Sequence, residues 1–212
     1  MKTAEIEIPI VSVPLKGDLV IPENAIGIVV FSHGSGSSRF NPRNKLVAEL
    51  MQQHGIGTLL FDLLTEEEDS IYENRFDIDL LTSRLIETTE WLMKYKEAKD
   101  LPIGYFGAST GAASAMRAAA YFGKNIKAVV SRGGRPDLAM TVLHLVTSPT
   151  LLIVGQMDVP VIQINKQAFD QFKSVKEMKI IPGATPLFEE PGKLMEVSDF
   201  AILWYKKYLI LN

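Results

Sequence analysis

Short, nearly continuous apolar runs alternating with helix-length amphipathic segments constrain this chain more than any other feature of its sequence. The runs cover residues 27–31, 58–61, 103–106, 126–130, 150–154 and 177–181. Apolarity unbroken over about four to six residues suits strands covered on both faces, as in a parallel sheet. Between them the periodicity changes to that of helices. The first opens at Asn41-Pro42, with Asn as N-cap and Pro at the first helical position, and stops at His54-Gly55. The longest spans 77–99, with Leu81, Leu85, Trp91 and Leu92 on its apolar stripe; others span 110–122, 161–172 and 194–209. Ahead of this pattern, residues 6–13 alternate, Lys16-Gly17-Asp18 signals a turn, and 19–21 return. The expectation is an α/β fold in one domain, 1–212: a doubly wound, mostly parallel sheet with helices on both faces and an antiparallel N-terminal hairpin.

Composition removes several kinds of chemistry. The 212 residues contain no cysteine, which excludes disulfides, thiolate metal sites and cysteine nucleophiles. The three histidines, His33, His54 and His144, have no metal-ligand spacing, so no metal and no cofactor is expected. With 22 Lys and Arg against 25 Asp and Glu, the formal charge of -3 supplies no field for nucleic acid or an anionic membrane. No apolar run reaches the roughly 18 residues of a membrane span, and Met1 to Glu7 mixes charge with aliphatics where a secretory leader would be apolar. The expected compartment is the cytoplasm. Neither G-x-G-x-x-G after the first parallel strand nor a P-loop motif is present, against a nucleotide-binding protein.

In such sheets the working residues sit on loops at the carboxyl ends of the strands. After residues 103–106 comes Gly107-Ala108-Ser109-Thr110-Gly111, a G-x-S-x-G match leading into a helix of small residues. A serine on so tight a strand-to-helix turn takes strained backbone angles that lift its hydroxyl clear of the sheet, and the flanking positions must be small. Three fixed positions recur by chance in about 0.07 of chains this long. The buried strand before and the helix after lower that several-fold. A carboxylate at the elbow would point to dehalogenation; Ser109 does not.

On these residues the chain resembles the α/β-hydrolase superfamily, in particular its small members related to dienelactone hydrolase. The resemblance implies that Ser109 is the nucleophile and that His33-Gly34-Ser35-Gly36 is the oxyanion loop, with the Ser35 and Thr110 amides as donors. It places Asp158, in Gly155-Gln156-Met157-Asp158, as the triad acid, and Gly34 and Arg132 as candidates to line the substrate pocket. Small esters, lactones or thioesters are the implied substrates. Dienelactone hydrolases proper use a cysteine, so this chain would be a serine version. The larger departure concerns the base. The family's stretch resembling G-A-T-H-x-F reads Gly183-Ala184-Thr185-Pro186-Leu187-Phe188 here, and no histidine follows His144. Proline can neither take nor return a proton. A His and a Pro codon differ by one base, so natural loss, deliberate replacement and accident all stay open.

Other groups carry milder expectations. His33 braces the oxyanion loop, His54 suits a helix end, and His144 is a remote candidate for a migrated base. Arg132 and Arg135 in Ser131-Arg132-Gly133-Gly134-Arg135 either hold an anionic part of a substrate or pair with nearby carboxylates. Arg39 and Arg43 belong to a solvated face unless one touches substrate, residues 66–69 to an acidic solvated loop, and Glu189 and Glu190 to the surface unless one lies near the site as a substitute base. The competing functional expectation is a non-catalytic binding protein that retains the pocket.

Overall fold

A computed structural model describes residues 2–11 and 13–209; Met1 and Ser12, which the N-terminal and first-strand readings include, and residues 210–212 lie outside it. Eight strands form one sheet in the order β1-β2-β4-β3-β5-β6-β7-β8. They are β1 (Lys2–Pro9), β2 (Pro14–Ile21), β3 (Ile28–Ser32), β4 (Gly57–Phe61), β5 (Ile103–Ala108), β6 (Ile126–Arg132), β7 (Thr150–Gly155) and β8 (Lys176–Ile181). β1 and β2 run antiparallel, β2 runs antiparallel to β4, and every later pairing is parallel.

The helices are α1 (Pro42–Gln53), α2 (Glu66–Ser70), α3 (Ile78–Leu92), α4 (Thr110–Phe122), α5 (Val159–Gln171) and α6 (Lys193–Tyr208). Val47, Met51, Val197, Trp204 and Tyr205 of α1 and α6 pack on one face with Val29, Phe31, Phe106 and Val130. Leu81 and Leu85 of α3, the alanines of α4 and Ala168 of α5 pack on the other with Val30, Tyr105 and Val129. Strands β3 to β7 are covered on both sides, which explains their unbroken apolarity. The expected architecture is the observed one.

Four local expectations change. The paired strands of the hairpin extend to Pro9 and Pro14, and Lys16-Gly17-Asp18 lies inside β2, with Gly17 opposite Ile6. Gly17 serves close packing: a Cβ there would meet Ile8, Leu59 and Phe61 at 3.2 Å. β8 is an edge strand with only Ile181 buried, and its lysines and glutamate discourage edge pairing. α3 stops at Leu92, because Lys94, Lys96 and Glu97 do not continue the apolar stripe. The acidic run is a short helix, α2, closed by a Thr65–Glu68 capping box and tied down by Arg84–Glu68 and Arg75–Asp69 ion pairs.

Candidate active site

Ser109 joins β5 to α4 with φ 52° and ψ −124°, a backbone region costly for a residue with a side chain. The packing around it shows why the chain accepts the strain. A Cβ on Gly107 would lie 2.8 Å from the Ala112 nitrogen, and one on Gly111 would lie 2.5 Å from the His33 carbonyl and closer still to that of Ser32. Glycines at both places let α4 start directly against β3. The contact is pinned by the buried Ser32–Ser114 hydroxyl pair at 2.7 Å. Ser109 itself is exposed, and among the described residues its Oγ has no hydrogen-bond partner. The sharp turn predicted from G-x-S-x-G is therefore present, with its hydroxyl in the open.

The loop after β3 lies against this elbow. A Cβ on Gly34 would come within 3.0 Å of Ser109 Cβ, so Gly34 lets the backbone approach the hydroxyl. Thr110 opens α4, where the first amides of a helix lack intrahelical partners. The Ser35 N–H, expected to face a substrate oxyanion, donates to Thr110 Oγ1 at 2.9 Å. The two residues are adjacent as expected, but the Ser35 donor is engaged. Behind them His33 is buried: its Nδ1 bonds the Gly34 carbonyl at 3.0 Å, and its Nε2 accepts the Leu63 N–H at 3.1 Å. That pair of bonds requires the neutral ring, and burial pushes its pKa down. His33 braces the loop and has no nitrogen left for Ser109.

The loops that carry Asp158 and Pro186 dock through their backbones. The Met157 N–H donates to the Ala184 carbonyl and that of Gln156 to the Ile181 carbonyl, both at 3.0 Å. A Cβ on Gly155 would strike the Ala184 carbonyl at 2.5 Å and that of Thr185 at 2.6 Å, so the loop after β7 nests in the loop after β8. Asp158 holds the N-cap position of α5 yet makes no capping bond, which leaves its half-buried carboxylate unused. Pro186 is exposed, and its carbonyl faces Gly133 beyond the end of β6. The loop carrying it is fixed by buried Phe188 and by the Glu190 carboxylate, which accepts the Thr185 N–H at 3.1 Å. Those bonds lower the Glu190 pKa.

Among the described residues, none of the candidate substitute bases hydrogen-bonds Ser109. His54 caps the end of α1 through the Leu50 carbonyl at 2.8 Å. His144 is exposed on the turn leading down to β7, with no bond to Ser109 or Asp158. Glu189 pairs with Arg43 at 2.9 Å. Among the arginines, Arg135 is held bidentately by Asp137 at 2.7 and 2.9 Å, whereas Arg132 is buried and bonds only Asn44 Oδ1, at 3.2 Å. The solvated reading of Arg39 is wrong. It is buried among Glu5, Asp18 and Asp62, three carboxylates far apart in sequence that no local pattern could have linked to it.

A cavity of about 640 Å³ opens next to the oxyanion loop, between the start of β2 and α2. His33, Phe40, Lys16, Asp62 and Leu64 help line it; Ser109 does not. Sequence reasoning missed this space, because it is enclosed by three segments that meet only in the fold. Among the described residues no cluster of three or more His, Cys, Asp or Glu side chains could hold a metal, and no helix is long and apolar enough to cross a membrane.

Strand order, elbow and loop placement together define an α/β-hydrolase fold. The comparisons narrow this. A crystal structure of dienelactone hydrolase from Anabaena variabilis superposes with a TM-score of 0.95 at 51% identity, covering 98% of both chains. The chain belongs to the dienelactone hydrolase family. Est1E from Butyrivibrio proteoclasticus shares the fold at a TM-score of 0.79 and 16% identity, over 95% of this chain and 99% of Est1E. Two Mycobacterium tuberculosis proteins named "Putative phosphoribosyl transferase" are 50% identical over 209 residues, 99% of this chain and 47% of theirs. The chain thus spans about half the length of the curated relatives it matches. No protein-family model matches it.

Proposed function

We propose that this chain is a serine-hydrolase scaffold for small esters, lactones or thioesters, interrupted at a single catalytic position. The observation that carries the reading is the docking of the Asp158 loop against the Ala184–Thr185 backbone, next in sequence to Pro186, with an Asp158 carboxylate that makes no capping bond. In the complete cycle the Ser109 Oγ forms a bond to the substrate carbonyl carbon while its proton passes to a base. The carbonyl electrons move onto oxygen and return as the bond to the leaving group breaks, the leaving group taking the proton; a water deprotonated by the same base then attacks the acyl-enzyme, releasing the acid and restoring Ser109. The Thr110 amide is the first oxyanion donor. The Ser35 amide joins it by exchanging its bond to Thr110 Oγ1 for the developing anion, a stronger acceptor. Asp158 would orient an imidazole at 186; Pro186 offers no group to receive the proton.

Loss of the triad base from a serine hydrolase costs about 10⁶ in turnover. As written, the chain should therefore show no hydrolysis dependent on Ser109. The test compares p-nitrophenyl acetate and butyrate hydrolysis by this chain and by Pro186→His. A gain of at least about 10³ supports the reading. Equal rates for the two proteins contradict it.

Pro186, together with the separate cavity beside the loop after β3, favours a second reading, a binding protein that does not turn over. We attribute the transferase name of the longer relatives to the part of those proteins outside the match, since this chain carries a hydrolase elbow and no phosphate-binding glycine motif.

A further inference from the structure

Buried arginines in this fold have carboxylate partners, with one exception. Arg39 meets three carboxylates and Arg84 meets Glu68. Arg132 is equally buried, 8% exposed, and meets none among the described residues. Its Nη2 donates to the neutral Asn44 Oδ1, and its Nη1 is buried with no hydrogen-bond partner. A charge buried in this way is among the costliest features a fold can retain. Burial and the nearby Arg43 together bring its pKa down to about 10, so the guanidinium remains charged at neutral pH.

Arg43 is the second half of the same feature. It stands in the first turn of α1, uses Nη1 on the exposed carboxylate of Glu189, and leaves a buried Nε unpartnered. The first-turn amides of Arg43 and Asn44 are already taken by Asn41 Oδ1, so the attraction for an anion comes from the side chains. Of the two guanidinium groups, Arg43 has one exposed carboxylate, Glu189, and Arg132 has none among the described residues. A monoanion would satisfy one of them; a tetrahedral dianion presents enough oxygens for both.

We propose that Arg132, at the end of β6, and Arg43, at the start of α1, form a binding site for a phosphate-type dianion that displaces Glu189 from Arg43. Arg132 pairs with Ala108 across the sheet, and its carbonyl accepts the Ser109 N–H at 3.3 Å, so the backbone that carries this guanidinium adjoins the elbow. This rests on the reading of Ser109 as nucleophile in one respect. On that reading, the site selects esters that carry a phosphate group elsewhere in the molecule.

The experiment is thermal unfolding of the full chain at pH 8 and constant ionic strength in phosphate, sulfate, glycerol 3-phosphate or acetate. It is repeated on Arg132→Met and Arg43→Gln. Phosphate and sulfate raise the midpoint in proportion to the logarithm of their concentration, and acetate does not. Arg132→Met loses the shift while its midpoint without anion matches or exceeds the parent's, because an apolar side chain replaces an unpaired buried charge. Arg43→Gln, at the half-buried start of α1, weakens phosphate binding at least tenfold and carries the test should Arg132→Met fail to fold. No shift in the parent, an equal shift with acetate, or a shift that survives either substitution overturns the proposal. Glycerol 3-phosphate binding more than tenfold more weakly than phosphate overturns the assignment to a phosphate-bearing substrate. None of these readouts involves turnover, so they stand or fall separately from the Pro186→His result.

Discussion

Around Ser109 the backbone leaves no latitude: side chains at Gly107 and Gly111 would overlap the main chain of α4 and of the loop after β3. Around Pro186 the loop is also well held, by the Gly155 contact, the Glu190 carboxylate and Phe188, which is buried at φ 57°. The difference lies in the residue that should do chemistry. Ser109 stands on a strained turn that exists only to present it, whereas the side chain at 186 is exposed and takes no part in the packing. A change of side chain at 186 can therefore leave the shape of the loop intact. Both frameworks persist here, and only one still carries a functional group.

That contrast can be broken at either end, and the largest effect belongs to the elbow. Gly111→Ala should prevent folding or cost at least about 4 kcal/mol in urea unfolding, because the new methyl meets two carbonyls from a neighbouring strand end. Gly183→Ala, in the base loop, has open space around its Cβ and a φ of +68°, so only the backbone penalty of about 1–2 kcal/mol applies. Equal losses at the two positions would remove the distinction.

A smaller effect distinguishes the two loops by pH. His33 is held neutral with its pKa below the ordinary 6.5, so it stabilises the fold fully above that value. The contribution is lost as pH falls from 6.5 through the depressed folded value, while the unfolded chain gains a proton. His33→Asn should flatten this part of the urea-midpoint profile. The smallest effect is expected at Glu190, whose lowered pKa stabilises the base loop above 4.5 and ceases to do so as pH falls below it. Glu190→Gln should remove only that acid limb and leave the elbow-side dependence on His33 unchanged.

The same contrast decides what could be read in the sequence. The central strands were legible because burial on both faces writes continuous apolarity, and the elbow because its glycines are demanded by backbone overlap. The proposed loss of the base rests on a single letter, Pro186, in a family pattern. What escaped depends on meetings between distant segments. Arg39 reads as a surface residue until Glu5, Asp18 and Asp62 converge on it. Gly17 reads as a turn until β4 packs behind it. The Ser35 amide reads as free until Thr110 supplies a hydroxyl, and the isolation of Arg132 shows only when its whole surroundings are known.

The central claim, a hydrolase scaffold silenced at one side chain, is tested most directly by a cycle of four proteins: the chain as it stands, Ser109→Ala, Pro186→His and the double variant. Each is assayed for p-nitrophenyl butyrate hydrolysis under one condition. The account predicts turnover above the baseline for Pro186→His alone, abolished again when Ser109 is replaced, with Ser109→Ala indistinguishable from the parent. Robust hydrolysis by the parent that Ser109→Ala abolishes would contradict it and would mean that a group other than residue 186 takes the serine proton.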